Sequence, residues 1–413
     1  AATAASLRAL VRFYRTGEAA DREAYDIAWV HDGDAQVDTI NGFVEVYLDA
    51  RGTKGAWEAL VFYVNHDKTD AIRSLARHAQ WFEDRTPWDP QYRKPGVTGI
   101  SANAIDVVVE TGDSGPVTPI GINLPNDERI RTEYGSRSVS LSNVMEAYDR
   151  SMPEAYWHEF SWTPDEAERA SRWQALASEV ATNLHEVIGH ASGQADPRLE
   201  GSPQAALKEH YSTIEETRAD LVALYFLPCP KLAELGIVPA EHQAEIVCAE
   251  YEGYARNALV QLRRVGEGSQ LEEDHMRNRQ LIVRWIMQHT HAVQERFRDG
   301  KTFYVVADVH AFRDGVGRLL AEVQRVKSQG DYRGAQALVE GYGVHFDPAL
   351  RDEILARVRR IDMPSYTGFV MPALEPVRAA DGAIADVRVT YPLDLTTQML
   401  GYTGTGDPGP GAR

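Results

Sequence analysis

Cysteine is almost missing from this chain, with two among 413 residues, Cys229 and Cys248. One pair at no ligand spacing builds neither a disulfide framework nor a Cys-rich zinc module. The scarcity favours a reducing compartment, so a cytoplasmic location is expected. No run of about 18 apolar residues occurs either, which excludes a membrane-spanning helix. Positive charge is in deficit: 43 Lys and Arg against 61 Asp and Glu leave a formal net charge of -18. Phosphate binding needs clustered cations, so this balance argues against nucleic acid as a partner. Repeats at a fixed period are lacking, and the Gly/Pro-rich tail "GTGDPGPGAR" reads as a disordered end. The chain opens at Ala1 rather than Met, which reads as a trimmed start with any targeting segment removed.

What is present is ordinary for a globular protein: 43% hydrophobic and 25% charged residues, enough chain for two or three cores. Up to about residue 150, short alternating runs such as "VDTINGFVEVYLD", "EALVFYVN" and "AIDVVVE" predict strands. From about 170 to 360 the apolar residues recur with helical period, as in "SRWQALASEVATNLHEVIGH" and "PAEHQAEIVCAEYEGYARNALVQLRRV". Near the C-terminus "GAIADVRVTY" alternates again and is expected to rejoin the early sheet. The reading is an α+β fold of two lobes with a cleft. Residues 1–65, 104–149 and 365–413 are expected to form a β-containing lobe, and 66–103 with 150–364 a helical lobe.

The chemistry sits in "ATNLHEVIGHASGQ", residues 181 to 194. Zinc peptidases commonly carry two helical histidines at i and i+4, about 40° apart around the axis. Here His185 and His190 are five apart, roughly 140° on a regular helix. A π-type bulge absorbs one extra residue and resets the phase, and Gly189 lies inside the interval. Two histidines brought together this way supply two ligands; a catalytic zinc needs a third and an open position for water.

"STIEETRADLVALY", residues 212 to 225, offers the third. Glu216 and Asp220 are four apart, on one face of a helix that is apolar towards its end. Ligand histidines commonly donate their second ring N–H to a carboxylate. Glu216 is therefore assigned to the metal, and Asp220 and Glu215 to orienting the imidazoles.

"HEVIGH" followed by "EETRAD" resembles the paired signature, HExxGH and EExxA plus an acid, of the dipeptidyl peptidase III family of zinc metallopeptidases. "NGFVEVYLD", "TPIGINLPN", "SVSLSN", "EEDHMRNR" and "YPLDLTTQML" resemble further family segments in the family's order, from about residue 10 to 401. Members usually carry a longer N-terminal region, so this chain is expected to lack part of one lobe. The second motif ends in Asp220 where some members have Glu, a difference that bears on the distance to the imidazole it orients.

The resemblance implies one zinc ion per chain on His185, His190 and Glu216, with Glu186 as general base. It implies a role for Glu45 in holding the substrate's N-terminal ammonium, and for Tyr47 in hydrogen bonding near the scissile bond. Strand alternation puts Phe43, Glu45 and Tyr47 on one face. A carboxylate at fixed distance from the metal would act as a ruler, so that cleavage falls after the second residue. Asn123 and Asn126 are implied as amide partners of the bound dipeptide, His275 as a donor near the developing oxyanion, and Arg279, one turn on, as a substrate contact. The expected partners are short peptides, the expected state a monomer. A peptide binder with little turnover and a structural zinc protein are the alternatives; Glu186 counts against the first, and a three-ligand site without Cys against the second.

Overall fold

The computed structural model describes residues 2–32, 35–44, 55–97, 100–114, 118–150, 152–361, 363, 369–391 and 394–402. The chain forms two compact units, Ala1–Thr69 with Ser101–Ser151 and Tyr366–Arg413, and Asp70–Ile100 with Met152–Ser365. The fold is α+β.

The first unit holds a five-stranded sheet of β1 (Val37–Gly42), β2 (Glu58–Val64), β3 (Ile100–Gly112), β4 (Gly121–Leu124) and β5 (Ser136–Leu141), in the order β1-β2-β3-β5-β4. β1 to β2, β2 to β3 and β4 to β5 run antiparallel, with a bulge at Val61/Phe62. The alternating pattern of these runs puts Ile40, Leu60, Phe62, Ile105, Val107, Val139 and Leu141 into one core with Leu10, Tyr25 and Trp29 from the helices Ala2–Thr16 and Ala19–Val30. The expected long first strand is shorter: β1 stops at Gly42, whose φ of +140° breaks the ladder, and Phe43 and Val44 lie outside it. Residues 45–54 lie outside the described residues.

A correction concerns "GAIADVRVTY". The segment does form a strand, but β9 (Ile384–Thr390) pairs with β8 (Ala373–Arg378) in a separate hairpin instead of joining the five-stranded sheet. Its turn is closed by the Ala379 N–H on the Ala383 carbonyl and by Gly382 at φ +85°. A partner only a few residues away costs least loop entropy. A second hairpin, β6 (Val293–Arg298) with β7 (Lys301–Val306), interrupts the segment expected to be helical throughout.

Five helices of the second unit position the site: α1 (Pro164–Leu184), α2 (Tyr211–Phe226), α3 (Gln243–Val260), α4 (Asp274–Thr290) and α5 (Val309–Gln329). α1 begins on Thr163, whose side chain accepts the Glu166 N–H; α4 begins on Glu273, which accepts from His275 and Met276; α5 begins on Asp308. Among the described residues no helix is long and apolar enough to cross a membrane.

Glu110, on β3, is 2% exposed, and its carboxyl accepts a hydrogen bond from Thr118. Burial pushes this acid up from 4.5 to about 7. The folded state therefore prefers the protonated form. That preference stabilises fully below the unfolded value of 4.5 and is lost as pH rises through about 7. Glu110→Gln should therefore gain stability relative to the native chain between about pH 5 and pH 8, by at most about 3 kcal/mol. Denaturant titrations of both proteins at the two pH values check this; a pH-independent difference would contradict it.

Candidate active site

α1 runs in register to Leu184 and then widens into a π turn, His185–Gly189, closed by the His190 N–H on the His185 carbonyl at 3.1 Å. A five-residue step thus completes one turn. The two imidazoles meet, with centroids 4.8 Å apart and planes at 82°, and their Nε2 atoms lie 3.1 Å from each other. Gly189 makes room for this. A Cβ there would lie 2.9 Å from both Cα and Cβ of Ala219 on α2, closer than carbon atoms pack.

α2 is buried on nearly every side, and the buried set includes Glu215, Glu216 and Arg218 beside Ile214, Leu221, Val222 and Phe226. Charges in such a place must be paired. Asp220 Oδ1 sits 2.7 Å from His185 Nδ1, and Glu215 Oε1 sits 3.1 Å from His190 Nδ1. Each ring thereby donates its Nδ1–H to a carboxylate and keeps Nε2 for another partner. The carboxylates are held in turn. The Tyr254 hydroxyl on α3 donates to Asp220 Oδ2 at 2.7 Å. Arg218 forks onto Glu215 at 2.6 and 3.0 Å, and Lys327 from α5 donates to Glu215 Oε2 at 2.6 Å. Arg218 also donates to the carbonyls of Gly189 and Ser192, binding the exit of the π turn.

The donor atoms converge. His185, Glu186 and His190 offer ligand atoms within 4.8 Å of one another and could hold a metal ion. Glu216 Oε2 lies nearer to the His185 Nε2 than Glu186 does, 3.2 Å against 4.0 Å, and 3.9 Å from the His190 Nε2. Burial by itself would lower the pKa of His185, but the carboxylates of Asp220 and Glu216, which accept hydrogen bonds from the ring, outweigh it and hold the ring well above the usual 6.5. Burial likewise opposes ionisation of Glu215, Glu216 and Asp220. Arg218 and Lys327 overcome it at Glu215, His275 and His185 at Glu216, and His185 at Asp220, so all three lie below the usual carboxylate range. The carboxylates of Glu186, Glu215, Glu216 and Asp220 crowd the imidazoles, while Arg218 and Lys327 both bind Glu215, a donor set that suits a cation.

Other residues read from the sequence fall in varied places. His275 Nδ1 lies 3.6 Å from Glu216 Oε2, at the first turn of α4, with 41% of its side chain exposed; Asp274 beside it accepts from Thr213 on α2 at 2.5 Å. Arg279 donates to Gln261 at 3.0 Å and lies over the Tyr254 ring at 5.9 Å, so it packs behind Asp220. Asn123, on the edge strand β4, donates to Ser138 Oγ at 2.7 Å, and Asn126 donates to the Val44 carbonyl at 2.9 Å. Glu45 and Tyr47 lie outside the described residues. Sequence reasoning missed Arg218, Tyr254 and Lys327. An arginine two residues beyond Glu216, in an otherwise apolar helix, was a usable signal for the first; nothing local marks the other two.

Gly189→Ala should force α2 away from the π turn and cost about 1–3 kcal/mol. Chemical denaturation of the variant checks this, and an unchanged midpoint would mean that the close approach to Ala219 is not required.

The sequence pattern of peptidase family M49 matches residues 2–195 and 198–359. Dipeptidyl peptidase 3 of Nematostella vectensis is 27% identical over 431 residues, covering 93% of this chain and 58% of that protein. The solved structure of DPP III from Caldithrix abyssi shares the fold, with a TM-score of 0.68 at 22% identity over 84% of this chain and 66% of that one. For dipeptidyl-peptidase III from Corallococcus sp. strain EGB the TM-score is 0.70 at 23% identity, over 84% and 61%. The chain spans little more than half the length of the curated relatives it matches. With the pattern matched across both units and through the π turn that unites His185 and His190, the chain belongs to peptidase family M49, the dipeptidyl peptidase III family.

Proposed function

We propose that this chain is a zinc-dependent dipeptidyl peptidase, hydrolysing the second peptide bond from the free N-terminus of short peptides. The convergence of His185, His190 and Glu216 carries the reading. A tetrahedral zinc with N and O ligands has donor–donor edges of about 3.4 Å. The His185–His190, His185–Glu216 and His190–Glu216 distances of 3.1, 3.2 and 3.9 Å bracket that value. Both rings meet carboxylates at Nδ1, which leaves both Nε2 atoms turned to one place beside Glu216, where a cation could take the position of a proton. When bound, zinc supplies Lewis acidity, polarising a carbonyl and acidifying water.

The chain's own groups do the rest. Glu186, inside the π turn next to His185, takes the proton of the attacking water and returns it to the leaving amine. His275, half exposed at the start of α4, donates to the oxygen that gains charge. Asp220 and Glu215 hold the imidazoles in the tautomer that leaves Nε2 unprotonated. By the family resemblance, Glu45 binds the substrate ammonium, Tyr47 hydrogen-bonds near the scissile bond, Asn123 and Asn126 bind the peptide's amides, and Arg279 contacts substrate. The Gln261 hydrogen bond of Arg279 must then be exchanged for one to the peptide.

Zinc content and release of a chromophoric amine from a dipeptidyl amide test this in native protein, Glu186→Gln and Glu216→Ala. We expect about one zinc per chain in the native protein and in Glu186→Gln, a fall in kcat of about 10²–10⁴ in the latter, and loss of zinc in Glu216→Ala. N-terminal acetylation of the substrate should abolish cleavage, because the ammonium that Glu45 pairs with is gone. Native protein that holds zinc yet releases nothing from any of several dipeptidyl amides would refute the activity.

A further inference from the structure

The two histidines of the π turn are supported differently. Behind His185, Asp220 is held by a neutral phenol, Tyr254. Behind His190, Glu215 is held by two cations from two helices. Arg218 comes from α2 itself and is fully buried, and it also binds the carbonyls that end the π turn. Lys327 comes from the last turn of α5, more than a hundred residues along the chain, with 17% of its side chain exposed. Its ammonium lies 2.6 Å from Glu215 Oε2, while His190 meets the other oxygen at 3.1 Å. The carboxylate is thus fixed at both ends, and its rotation would swing the oxygen away from the imidazole.

We infer that Lys327 is a positioning residue for the metal centre: by pinning Glu215 from α5 it fixes the orientation of the His190 ring, and so sets how firmly zinc is held. This rests on the zinc-site reading above. Lys327 also lies over the Tyr211 ring of α2 at 6.0 Å, but its contact with the group that meets His190 is the one to Glu215, and Arg218 keeps Glu215 attached to α2 when Lys327 is altered. Loss of the lysine should therefore loosen the ring without dismantling the helix pair. Removing a group that orients a ligand typically weakens metal binding about 10- to 100-fold; one bond further out, the lower figure is expected.

The test compares native protein with Lys327→Met, Lys327→Gln and Lys327→Arg. The readouts are the rate of zinc transfer to a chromophoric chelator, the visible spectrum of the cobalt-substituted proteins, and the unfolding midpoint of the chelator-treated proteins. Zinc should leave the Met and Gln variants about tenfold faster, with a changed cobalt spectrum and an unchanged metal-free midpoint, and Arg should restore the native rate. If Met does not fold, the Gln variant, polar but neutral and too short to pin Glu215 as the ammonium does, decides the matter. Native release rates in the Met or Gln variants would overturn the positioning role alone. So would fast release that Arg fails to reverse, or that follows a lowered metal-free midpoint. A native protein that takes up no zinc would overturn the metal reading itself, and this inference with it.

Discussion

The residue inserted between His185 and His190 governs this structure. On a regular helix their rings would point to different sides. The π turn brings the Nε2 atoms to 3.1 Å, and it can do so only because Gly189 lets Ala219 approach where a side chain would stand. The distortion is not isolated. Arg218 binds the Gly189 and Ser192 carbonyls, Lys94 binds the Ala191 carbonyl, and Glu83 accepts the Gly193 N–H. Backbone groups that a helix end leaves orphaned are satisfied by charged side chains from several other elements.

This arrangement also explains why a helix as buried as α2 carries Glu215, Glu216 and Arg218. Buried charges are tolerated when their partners lie at short distances in a fixed geometry. Here the two carboxylates that meet an imidazole Nδ1 each have a further donor behind them, a phenol for Asp220 and two cations for Glu215. The layers pass from ring to carboxylate to a residue on α3 or α5, so the centre depends on helices far apart in sequence. Packing against Ala219 and pairing of charge reinforce each other: the close helix contact excludes water, and exclusion of water strengthens the ion pairs.

Much of this was legible in the residues. The strands at 58–64 and 100–112 follow the two-residue alternation of β-branched side chains, and the long helices follow their apolar period. The extra residue between the histidines announced the π turn, because two imidazoles five apart are useful together only if the helix is distorted. The four-residue spacing of Glu216 and Asp220 put both on one face. The last strand was misplaced, because alternation tells that a segment is a strand but not which edge it joins, and a nearby partner across a tight turn won. The β6–β7 hairpin escaped because short apolar runs carry no distinguishing period.

The sequence by itself determined which residue types stand at which spacing, and local backbone rules turned those spacings into a π turn, a shared helix face and a set of donors. Only the tertiary structure decided which carboxylate faces which ring, and that Tyr254, Arg218 and Lys327 stand behind those carboxylates. The reason is the range of the forces. Periodicity and capping act within a few residues and leave marks in the sequence, whereas a salt bridge between Lys327 and Glu215 depends on how α5 and α2 pack, a matter settled by the whole core.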